Sequence, residues 1–117
     1  MNDSRDSDSD AKINRKQLVD LFLRRTQAEV EQMRRNVPAL IANDARAWQE
    51  LRFNAQRIAG QAEGLDLGML GACAEELARL ANERFTLAVL DANFLLAATS
   101  AIEVIAIELK DIFRHRD

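Results

Sequence analysis

Apolar and polar positions alternate along this chain with a helical period over most of its length. Val19, Phe22, Thr26, Val30, Met33 and Val37 recur at spacings of three and four, which lays one mostly apolar stripe along a helix. Pro38 ends that helix, because proline disfavours helical backbone in the residue before it. A short apolar piece, Ala39 to Ala42, leads to Asn43 and Asp44, and Asp44 is placed to cap a second helix. That helix is predicted over Ala45 to Glu63, with Trp48, Leu51, Ala55, Ile58 and Ala62 facing inward. Gly64 is its expected stop and Asp66 the expected cap of a further helix, whose inward stripe is Leu70, Cys73, Leu77 and Leu80. The remainder divides at a turn within residues 82–93, so that Phe94, Ala98, Ala101, Ile105 and Ile112 face the interior in a last helix. Leu95, Ile102, Val104 and Leu109 fall outside that stripe, so this helix is either unusually well covered or offers a surface for association, as in a homodimer.

Four amphipathic segments with short connections predict an all-α fold, an antiparallel (up-and-down) four-helix bundle. Residues 1–11 are rich in Asp and Ser and cannot bury apolar surface, so they are expected as a disordered acidic tail ahead of a helical domain over residues 12–117. Composition points the same way. One Pro, four Gly and no Tyr among 117 residues is too little turn and β-forming chemistry for a sheet protein of this size.

A net charge of −3 argues against nucleic acid as a partner. The Arg24-Arg25 and Arg34-Arg35 pairs sit among Asp20, Glu29 and Glu31 and read as a solvated helix face. The single Cys73 excludes an internal disulfide and suits a reducing cytoplasm. The uncharged stretch Ala92 to Ile102 is 11 residues, against the roughly 20 that crossing a bilayer takes, so no membrane partner is expected.

The stretch Asn54 to Leu77, NAQRIAGQAEGLDLGMLGACAEEL, resembles the signature of histidine-phosphotransfer (HPt) domains. There an Ala-His pair precedes a basic or apolar tripeptide, then Gly and a small residue, a Leu-Gly step, and a helix of the form Leu-x-x-Leu-Cys-x-x-Leu-Glu. Ala55, Ile58, Gly60, Ala62, Leu65, Leu70, Cys73 and Leu77 fall into that register. Asn43-Asp44 ahead of Trp48 also resembles the family's Gly-Asp-Trp lead-in, and the resemblance spans residues 18–112. It implies a four-helix bundle of HPt type, a phosphorelay module of two-component signalling. Its partner would be a response-regulator receiver domain or a histidine kinase in the cytoplasm.

The residues around the chemistry depart from the family. Its acceptor histidine falls on Gln56, its frequent Lys on Ala59, its small residue after glycine on Gln61, and its Leu-Gly step on Leu65-Asp66. An imidazole attacks a phosphoryl group through an in-plane nitrogen lone pair. A glutamine amide nitrogen has its lone pair delocalised into the carbonyl and cannot. Gln56 retains the size and hydrogen bonding of the imidazole, so it can occupy a docking surface without reacting. The expected contact residues are Arg52, Gln56, Arg57, Ala59, Gly60 and Glu63, taken as the helix face opposite Trp48. Gly60 costs a helix interior about 1 kcal/mol relative to Ala, which suits either close approach of a partner or helix packing.

Other chemistry is sparse. His115, the one histidine, lies third from the C-terminus and reads as solvent-exposed. Cys73 reads as core packing, and Glu75-Glu76 have no histidine at metal-ligand spacing. No enzyme activity, cofactor or metal site is expected. Two further readings stay open: an authentic phosphotransfer protein carrying an engineered Gln56, and a structural bundle that dimerises through its last helix without a signalling role.

Overall fold

A computed structural model describes residues 4–116, with side chains described over residues 14–116. The described chain is all-helical, a helical bundle of five α-helices: α1 (Ser4–Arg35), α2 (Val37–Ile41), α3 (Ala45–Gly64), α4 (Gly68–Glu83) and α5 (Ala92–Arg114). A single 3₁₀ turn, Arg84–Thr86, follows α4 directly. Of the expected tail over residues 1–11, residues 1–3 lie outside the described residues, and from Ser4 the backbone already belongs to α1. Arg34 and Arg35 in the last turn of α1 complement the helix dipole.

Local chemistry sets most boundaries. Asp44 caps α3 as expected, its side chain accepting from Arg46 N (2.9 Å) and Ala47 N (3.2 Å). Asp91 caps α5 in the same way, accepting from Phe94 N at 2.7 Å. The turn expected within residues 82–93 is the 3₁₀ turn and the connection that ends at Asp91.

Two boundary expectations are corrected. Pro38 does not only terminate: α1 ends at Arg35, and Pro38 sits in the first turn of the short α2, where its missing N–H has no helical partner to lose. Asp66 does not cap α4. Its backbone takes a left-handed conformation (φ 61°), Leu67 holds the N-cap position without a side-chain bond, and the Asp66 carboxylate pairs with Arg15 at 2.6 Å.

The core is continuous. It joins Leu23, Val30 and Met33 of α1, Leu40 of α2, Trp48 and Ile58 of α3, Leu70 and Leu77 of α4, and Ile102 and Ile105 of α5. Trp48 sits fully buried against Phe94 (ring centroids 5.7 Å) and donates its indole N–H to Leu40 O at 3.1 Å. That bond ties α2 to α3 from inside, because a buried indole N–H without an acceptor is costly.

The packing order follows from which helices touch. α3 packs on α1, α2 and α4, and α5 packs on α1, α2 and α4. α3 and α5 are therefore diagonal, and their outer sides face away from each other. α3 and α4, joined by residues 65–67, form a helical hairpin. They approach backbone to backbone at Gly71, where a Cβ would lie 3.5 Å from Ala59 O and 3.6 Å from Ala62 Cβ.

The inward stripes are as expected for α3 and for α1 as far as Met33, while Val37 belongs to α2 and is half-buried, and the stripes of α4 and α5 are corrected. In α4 the buried positions are Leu70, Gly71, Ala74, Leu77, Leu80 and Ala81, and Cys73 is only half-buried at the edge. Its thiol pKa is raised, first by loss of solvation and then by the nearby Glu108 carboxylate. In α5, Ile102 and Leu109 are buried rather than outside the stripe, Leu95 is half-buried, and Val104 is exposed as expected. The α5 neighbours on two sides widen the buried sector beyond one stripe. By length and composition α5 is also apolar enough to cross a bilayer, and 22% of its most apolar stretch is buried in the bundle.

Candidate functional site

The outward surface of α3 carries the residues that the sequence marks. Gln56 is exposed in the middle of the helix, about three turns after Asp44 fixes its start. Gly60, one turn further on, is also exposed, and a Cβ built there meets nothing within 4 Å. Packing inside the chain therefore does not require a glycine at 60. Glu63, a further turn along, is exposed as well.

Three of the six expected contact residues are placed differently from a simple opposite face. Ala59 is buried at the seam with α4, beneath Gly71, and is corrected from surface to interior. The cause is a second neighbour: α4 covers the flank of α3 that a single inward stripe leaves free. Arg57 is half-buried and turned toward α1, where it pairs with Glu29, and within α3 it donates to Asn54 Oδ1 at 3.2 Å. Arg25 approaches the same Glu29 carboxylate at 3.1 Å. Arg52 is half-buried and turned toward the end of α4, with its guanidinium 4.7 Å from the centre of the Phe85 ring and 3.5 Å from Asn82 Oδ1. Gln56, Gly60 and Glu63 thus stand free between two arginines that are committed elsewhere.

Phe53 is the residue that the stripe-based selection missed. It lies three residues before Gln56, so the two share a face, and it is 65% exposed. Its place outside the inward stripe was the available signal: an aromatic among polar residues on the outer side of a helix. A second apolar feature borders this face. Leu18 and Leu21 of α1 are exposed beside a groove that also includes Gln61, Gly64 and Leu65. On the other flank, Glu63 and Glu75 line a shallow groove over Gly68 and Gly71.

Gln56 offers a donor and an acceptor, and Phe53 offers an apolar ring beside it. Among the described residues no group of three His, Cys, Asp or Glu side chains is placed to hold a metal. His115 is at the far C-terminal end of α5, its Nδ1 within 2.9 Å of Asp111 O. In the second basic pair of α1, Arg34 pairs with Glu31 (3.1 Å) and Glu103 (2.9 Å), and Arg35 donates to Gln32 at 3.1 Å. No family model, no curated protein and no solved structure matches this chain.

Proposed function

We propose that this chain is an HPt-like signalling module, an up-and-down four-helix bundle that docks a receiver domain through the α3 face around Gln56 and does not accept phosphate. One observation supports the reading most directly. The only non-glycine residues with left-handed backbone among those described are Asn43 (φ 60°) and Asp66 (φ 61°). These are the two positions where the resemblance sets a family glycine against a non-glycine residue, in the Gly-Asp-Trp lead-in and in the Leu-Gly step. Left-handed backbone favours glycine, and Asn and Asp tolerate it best after glycine. A left-handed backbone at both positions is one that glycine would favour, and this supports the resemblance.

In this reading, Gln56 and Gly60 meet the receiver beside its acidic pocket, with Phe53 as an apolar contact. The receiver supplies its own metal and aspartyl phosphate. The chain occupies the docking surface without taking the phosphoryl group, so it modulates signalling by occupancy in the cytoplasm. A histidine kinase is the other partner of the same class.

A panel of phosphorylated receiver domains, offered to the unaltered chain and to Gln56→His in parallel, tests this. Binding and phosphoryl transfer are read separately. The expected outcome is that some receiver binds both proteins and that only Gln56→His takes up phosphate. Absence of binding by either protein across the panel would reject the signalling reading and leave a structural bundle.

A further inference from the structure

α5 leaves an apolar seam uncovered on the side of the bundle diagonal to α3. Ala97, Ser100, Val104, Ile107 and Asp111 are all exposed and recur alternately by three and four, the seven-residue spacing of paired helices. Ile107 is 66% exposed and Val104 48%, and Leu96 beside them is 66% exposed. These side chains project from a helix already held by α1 and α4, so the seam is presented on a rigid support.

Charge placement identifies the occupant. Glu103 and Lys110 stand seven residues apart along one border of the seam, both exposed. Among the described residues Lys110 forms no ion pair, and Glu103 has Arg34 as its partner at 2.9 Å. We propose that a second copy of this chain covers the seam, with the two α5 helices antiparallel about a two-fold axis between Val104 and Ile107. In that register Val104 of each copy faces Ile107 of the other. Glu103 then comes beside Lys110 of the second copy, and the symmetry repeats the attraction. Ser100 lies opposite Asp111 of the other copy, so a hydroxyl can donate to a carboxylate at each end. A parallel pairing would instead bring Glu103 toward Glu108 of the second copy, which is repulsive. Insertion of this face into lipid is disfavoured by Glu103 and Asp111, since a carboxylate at the bilayer centre costs about 3 kcal/mol or more.

Sedimentation velocity over a wide concentration range tests the register with two single charge reversals, Glu103→Lys and Lys110→Glu. Each reversal alone sets like charges against each other twice, and raises the dimer dissociation constant by about tenfold or more. An equimolar mixture of the two restores opposite charges at both contacts and associates at least as well as the unaltered chain. Ile107→Glu is monomeric with unchanged far-ultraviolet circular dichroism, which separates loss of association from loss of fold. The proposal is overturned by an unaltered chain that stays monomeric at every concentration. It is equally overturned by a dimer indifferent to Ile107→Glu, or by a mixture that associates no better than its components. Binding to phosphatidylcholine–phosphatidylserine vesicles without self-association would assign the seam to a bilayer and overturn it as well.

Discussion

Asn43 and Asp66 each hold a left-handed backbone at the end of a helix, a conformation that costs most residues about 1–2 kcal/mol. Each also carries a polar contact: Asn43 Oδ1 accepts from Arg84 at 2.5 Å, and Asp66 pairs with Arg15 at 2.6 Å. At position 66 the ion pair is largely exposed, so its own contribution is small. Asp66→Gly and Asp66→Ala both remove it, and they differ only in the ease of the left-handed backbone. Denaturant unfolding is expected to find Asp66→Gly more stable than Asp66→Ala by about 1 kcal/mol. Equal stabilities would show that the turn relaxes out of the left-handed region when the side chain changes. Gln56 is a residue-scale question of another kind: in the proposed reading, Gln56→His changes reactivity without changing shape. For that reason binding and phosphoryl transfer are read separately in its test.

At the scale of elements, α3 is held by unlike contacts on its two sides. Toward α4 the contact is steric, with Gly71 admitting the backbone of Ala59. Toward α1 it is electrostatic, through Arg57, Glu29 and Arg25, and the Arg57 and Glu29 side chains retain only 20% and 18% of their exposure. A double-mutant cycle with Glu29→Gln and Arg57→Met is expected to give a coupling of about 1 kcal/mol, measured by denaturant unfolding. A coupling near zero would mean that apolar contacts alone seat α1 on α3. The pairing with Glu29 turns Arg57 away from Gln56, and Phe85 and Asn82 do the same for Arg52. Both were legible as surface residues by helical position, but a position on a helix does not say which neighbour a long side chain reaches.

Across the whole molecule, the diagonal placement of α3 and α5 separates the two surfaces proposed to bind partners. The Gln56 face looks out between α1 and α4, and the Val104–Ile107 seam looks out on the opposite side. A pair of copies joined at α5 therefore presents two free α3 faces pointing away from each other. Ile107→Glu is expected to bind a receiver domain with the affinity of the unaltered chain and a stoichiometry of one receiver per chain, as measured by titration calorimetry. A loss of affinity in that variant would show that the two surfaces are coupled through the bundle, since they share no residues.

The sequence by itself determined the all-helical class, the bounds of α3 to within a residue, the Asp44 cap and the inward stripes of α1 and α3, because these depend on short-range periodicity and on local hydrogen-bond chemistry. It also placed Gln56 and Gly60 on an outer face, for the same reason. Only the tertiary structure decided which flank of each helix a second neighbour covers. That moved Ala59 into the interior beneath Gly71, drew Ile102 and Leu109 of α5 inward, and left Cys73 at the edge of α4. It also turned Arg52 and Arg57 toward other helices and exposed Phe53 beside Gln56. One stripe records one neighbour, and every long helix here has more than one.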